Sequence, residues 1–303
     1  MKFNMAFLVG LSLISLAPAT MAAESQFGFV YTTDLLPKGE KEIEQWVTWR
    51  SQKIGGTYNL LEGRTAIEYG LSDNFQLALY ATYDWTEAYQ NGPFGATTPP
   101  EQFSYDQPGP DDFYRATRFV GFSGEGVYRL LSPYVDPVGL ALYLEPTFGP
   151  EFIEAEAKVI LQKNYLDDTL TFGFNFTYAP EWRLLPSDDP TDGTGSSWQE
   201  ETDTNFYLGA SYRFIPNWSA GLEFLNEMEF NSFNFTQATN SGYFIGPSVH
   251  FGGKEFFVTA VFLAQLPWAT IHDATVPGAV VNGYDFDNDF EQYRVRVKLG
   301  FYL

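Results

Sequence analysis

Strict alternation of apolar and polar side chains, repeated twelve times, constrains this chain more than any other feature. It is cleanest where Phe75, Leu77, Leu79, Ala81, Tyr83 and Trp85 oppose Gln76, Ala78, Tyr80, Thr82 and Asp84. A period of two puts one set on each face of a β-strand. The rhythm returns at 41–50, 58–71, 113–131, 140–148, 152–164, 169–180, 204–214, 219–228, 243–251, 255–266 and 293–303. Tight turns near 73, 136, 167, 216 and 253 alternate with generally longer segments near 53, 98, 192, 235 and 278. Short turns at one end, long loops at the other and an even strand count predict an all-β fold. The specific expectation is a transmembrane, antiparallel, up-and-down β-barrel of twelve strands.

Composition narrows what such a fold is for. Of the 303 residues 18% are aromatic, which suits a barrel with girdles at two interfaces. Trp49, Trp85, Tyr178, Trp182 and Trp268 fall at one set of strand ends; Tyr69, Tyr128, Tyr134, Tyr212 and Trp218 fall at the other. A formal charge of −21 argues against nucleic acid as a partner. With no cysteine, thiol catalysis and disulfides are excluded. Residues 1–23 read as a secretory signal peptide: Lys2, an apolar run from Met5 to Leu16, then Ala19-Thr20-Met21-Ala22-Ala23. That run is shorter than the ~20 residues of a spanning helix. Residues 24–40 can be a periplasmic lead-in, an extra short strand or a segment tucked into the lumen, and 41–303 form the barrel.

The terminal stretch carries Tyr293, Val295, Val297, Leu299, Phe301 and Leu303 on one face and Arg294, Arg296 and Lys298 on the other. It resembles the closing strand of bacterial outer-membrane barrels, which implies recognition by the barrel assembly machinery. Strand parity sends Glu42, Glu44, Arg50, Glu62, Arg64, Glu68, Asp84, Arg115, Glu125, Arg129, Glu154, Glu156, Glu223 and Glu227 into the lumen. These charges fit a water-filled conduit, or pairs that fill a narrow interior; the pattern leaves both open. Closure of the last strand on the first predicts that Arg294, Arg296 and Lys298 form the cationic side of a seam against Glu42 and Glu44.

Other chemistry is sparse. Asp285, Asp287, Asp289 and Glu291 alternate like a calcium loop but lack its glycine and terminal glutamate, so no metal or cofactor is expected. Ser248 and His250 share a strand face, with Glu223 or Glu227 as an orienting acid; this is the one hydrolase candidate, and the other histidine is His272.

Leu35-Leu36-Pro37-Lys38-Gly39 followed by Glu42-Ile43-Glu44-Gln45-Trp46-Val47-Thr48-Trp49-Arg50 resembles the opening of an uncharacterised proteobacterial outer-membrane family, a domain of unknown function. The resemblance covers about the first 50 residues after the leader, implies a barrel in the bacterial outer membrane, and carries over no activity. The leading expectation is a monomeric, non-enzymatic channel or binding barrel for small polar solutes, in contact with membrane lipid and lipopolysaccharide. A closed-lumen barrel with a structural or envelope role is the alternative, and a lipid-acting hydrolase is the third.

Overall fold

The computed structural model describes residues 25–53, 55–100, 106–186, 196–271 and 280–303. The leader expected over residues 1–23, and His272, lie outside them. Twelve strands close into one antiparallel barrel. Going round in chain order they are β1 (Lys41–Ser51), β2 (Thr57–Ser72), β3 (Phe75–Tyr89), β4 (Tyr114–Leu131), β5 (Gly139–Phe148) and β6 (Phe152–Tyr165), then β7 (Leu170–Pro186), β8 (Ser196–Ile215), β9 (Trp218–Phe230), β10 (Ala238–Gly252), β11 (Phe256–Gln265) and β14 (Tyr293–Tyr302). A two-stranded hairpin, β12 (Val280–Val281) and β13 (Tyr284–Asp285), lies in the last long loop. β14 closes the barrel on β1, in register from Glu42↔Tyr302 to Ser51↔Tyr293.

Burial runs opposite to that of a water-soluble protein. Leu79 is 70% exposed, Phe122 63% and Ile67 59%, whereas Glu42, Asp84 and Glu223 are at or below 1%. Each outer face is the apolar half of the alternation, as a strand in lipid requires, and each inner face is the polar half. Trp49, Trp182 and Trp268 are exposed near the long-loop end. Tyr69, Tyr128, Tyr134, Tyr212 and Trp218 are exposed near the short-turn end.

Within the span of β4 the register departs from simple parity. Gly121 and Phe119 pair with Thr82 and Tyr83, which leaves Val120 as the extra residue of a β-bulge. A bulge reverses the faces beyond it. Arg115, assigned to the lumen by parity, therefore stands outside, its side chain 60% exposed beside Glu87. Arg118 takes the inward parity and bonds Asp106 and Glu151.

Candidate functional site in the barrel lumen

The lumen is crossed near the short-turn end by Ser25–Glu40. Its entry is fixed to β2, where Gly39 N–H donates to Gly70 O at 2.7 Å and Gly70 N–H to Glu40 O at 3.0 Å. The segment has no strand partner, so its backbone groups need acceptors from elsewhere. Inward side chains of four strands supply them. Leu36 N–H donates to Gln76 Oε1 (2.7 Å) and Thr33 N–H to Gln162 Oε1 (2.7 Å). Tyr31 and Asn175 bond reciprocally, at 2.7 and 2.9 Å. The carboxylate of Glu223 collects three successive amides, Gly28 (2.7 Å), Phe29 (2.8 Å) and Val30 (3.1 Å). Ser211 Oγ donates to Gln26 Oε1 at 2.9 Å on the far side.

Apolar packing completes the plug. Phe29 is buried among Leu225, Phe244, Val261, Leu263 and Phe290, and Leu35 among Val127, Ala141, Tyr143 and Ile160. Burying one such side chain contributes about 1.5–3 kcal/mol. Room for it comes from Gly173 and Gly209, which face each other across β7 and β8. A Cβ on Gly173 would sit 2.7 Å from Val30 Cγ1, and one on Gly209 2.7 Å from the Phe27 ring.

The predicted inward charges fall into three groups. At the short-turn end, Glu42 and Glu68 face each other across β1 and β2. Glu68 accepts from Gln76 Nε2 (2.5 Å) and Tyr80 OH (3.2 Å), and Tyr80 OH also donates to Glu125 (2.8 Å). Arg129 reaches Thr33 O at 3.3 Å, and Glu44 meets the Trp46 indole N–H. At mid-height Arg64 bonds Glu145 and stacks 3.7 Å from the Tyr80 ring centre, while Glu156 pairs with Lys158. Glu223 belongs to the plug.

Towards the long loops a cavity of about 240 Å³ is lined by Arg50, Glu62, Asp84, Glu154, Glu181 and Glu227, among others. Arg50 lies 3.8 Å from Glu62 and 3.7 Å from Glu291. A second space of about 300 Å³ at the mouth shares Arg50, Arg183, Glu229 and Phe290 with it.

The three terminal-strand cations part company. Lys298 lies 3.9 Å from Glu44 across the seam. Arg296 donates to Thr48 Oγ1 at 2.8 Å, approaches Glu62 at 3.6 Å and stacks 3.8 Å from the Phe29 ring centre. Arg294 leaves the seam altogether: it grips Glu227 of β9 in a fork at 2.7 and 2.8 Å and also bonds Glu291. An arginine side chain reaches inside the curved sheet past β11 and β10, and its paired N–H groups match a carboxylate, so the acid of β9 wins over that of the neighbouring strand.

The hydrolase candidate does not assemble. His250 Nδ1 meets Thr259 Oγ1 at 2.8 Å and the ring stacks on Phe257. Ser248 Oγ is buried with no hydrogen-bond partner among the described residues, and Glu223 is committed to the plug. The acidic stretch near the terminus serves the mouth instead. Asp287 accepts from the amides of Ser241 (2.7 Å) and Asp289 (3.0 Å), and Phe290 packs on Phe244. Burial pushes the Asp287 carboxyl up to about 6 against the pull of those two amides.

From sequence, Glu223 reads as a lumen charge or as an orienting acid for His250, and nothing singles out Gln76, Gln162 and Asn175. Amides can bond an extended backbone as donor and acceptor. Their presence at inward strand positions was the available signal.

One family model, described as a family of unknown function (DUF6662), matches residues 19–303. No curated protein matches the sequence. Among solved structures, an outer membrane channel from Pseudomonas putida F1 superposes with a TM-score of 0.57 at 9% identity, covering 92% of this chain and 100% of that one. The translocator domain of the autotransporter NalP from Neisseria meningitidis superposes with a TM-score of 0.50 at 10% identity, covering 89% and 90%. At such identities the likeness is one of fold.

Proposed function

For a chain that belongs to this family of unknown function, we propose an outer-membrane barrel that admits small polar solutes into a charged outer cavity. The segment Ser25–Glu40 stands as an internal plug below it. The observation that carries this reading is the pairing of a cavity of about 240 Å³, lined by carboxyl and guanidinium groups, with a plug held largely by side-chain acceptors. A permanent wall would be served as well by apolar packing. Side-chain acceptors can exchange for water, so the plug can leave without unpairing the barrel. The similar channel in P. putida supports the barrel as a conduit by its fold only.

A second reading, a closed barrel with a structural role, is favoured by the number of strands that grip the plug. Single-channel recording in planar bilayers separates the two. The Glu223→Ala chain loses three charge-assisted bonds worth roughly 1.5–3 kcal/mol each. It is expected to open more often or conduct more than the wild type. A folded barrel that conducts in neither form establishes the closed reading.

A further inference from the structure

Asp84 is the anomaly of the outer cavity. It is 1% exposed, and neither carboxylate oxygen accepts a hydrogen bond from any described residue. Buried carboxylates are ordinarily paired or bonded, because an unmet charge there is costly. No described neighbour donates a hydrogen bond to it. Glu62 stands directly opposite on β2 and is another acid. Arg118, opposite on β4, is held by Asp106 and Glu151. Arg50 lines the same cavity, but its guanidinium lies between Glu62 and Glu291. Asp84 lines a space of about 240 Å³ whose wall also carries Glu154 and Glu181, themselves opposite each other on β6 and β7.

We propose that this cavity is a binding site for a small organic cation, an amine or guanidinium, with Asp84 as its principal carboxylate. The inference rests on the reading of the barrel as a solute conduit and names the class of solute. A protonated amine or guanidinium would give Asp84 the donors that the protein withholds, and Glu154 would add attraction from the same wall. Glu62 there is already shared with Arg50 and Arg296, and Glu181 with Arg183. A neutral sugar could donate hydroxyl hydrogens to Asp84 but would bring no compensating charge, and an anion would meet a wall in which carboxyl groups outnumber the guanidinium groups of Arg50, Arg64 and Arg183.

The test uses the full-length barrel in detergent micelles at low ionic strength, titrated calorimetrically with putrescine and separately with methylguanidinium. Glutamate and glucose serve as controls. Saturable binding of the two cations, and not of the controls, is expected. Asp84→Asn should weaken it about tenfold or more, the scale of one lost charge-assisted bond. Glu200→Gln, on an exposed side chain of β8, should not. Asp84→Ser gives a second uncharged variant if the first does not fold.

No saturable cation binding by the wild type, or equal binding by a folded Asp84 variant, overturns the site. If the wild type conducts in bilayers while Asp84→Asn binds cations unchanged, the cation site falls and the conduit stands. If neither conductance nor binding is found, both fall.

Discussion

At the scale of single residues, this lumen is governed by which buried carboxylates are satisfied and by what. Glu227 has a guanidinium fork, Glu223 three amides, and Asp287, itself buried, two amides in the last long loop. Asp287 gives a pH dependence with a definite sign. Its folded value of about 6 lies above the ~4 of a solvated aspartate, so the protonated form fits the docked loop better. That contribution is complete below about pH 4 and is lost as pH rises through about 6. Protection of the Ser241 and Asp289 amides, corrected for intrinsic exchange, should therefore be greater at about pH 5 than at about pH 7.5. Asp287→Asn should flatten the dependence. A wild-type loop equally protected at both would refute the assignment.

Among the elements, the plug and the strands that make room for it form one unit. Gly209→Val puts new atoms where the Phe27 ring lies, and Gly173→Val does the same against Val30. Overpacking of this kind costs typically ~1–3 kcal/mol. The cost should fall on the plug, because the ladder of β7 and β8 uses only backbone groups. Limited trypsin digestion is expected to cleave at Lys38 in both variants while the barrel stays folded and the wild type resists. Continued resistance in both would mean that the plug does not depend on the glycine pair.

The strands were legible in sequence because alternation is a local property. Their ends were less so. β7 and β8 run on to Pro186 and back from Ser196, where the polar residues Glu181, Glu200 and Glu201 continue to pair above the apolar band. Backbone pairing does not stop where lipid-facing residues do. The bulge at Val120 was hidden for a related reason: one extra residue reverses parity without altering composition.

For the whole molecule, charge sets the expected selectivity. The chain carries −21 overall, and the outer cavity has more carboxylates than guanidinium groups. If the barrel conducts, reversal potentials in a potassium chloride gradient should show several-fold preference for the cation at about 0.1 M. The preference should fall towards unity near 1 M, as the screening length drops from ~10 Å to ~3 Å. Anion preference at low salt would contradict the placement of these acids.

The sequence by itself determined that there is a barrel, how many strands it has and which face of most strands points outward. A period of two, read against turn spacing, is enough for that. It did not determine what Ser25–Glu40 does, nor where Arg294 points. Those depend on Gly28 meeting Glu223, 195 residues away, and on Arg294 meeting Glu227, 67 residues away. Arg294 and Glu227 stand on strands separated by β11 and β10, and the curvature of the closed sheet brings such inward side chains within hydrogen-bond reach. The plug and the cavity above it are consequences of that closure.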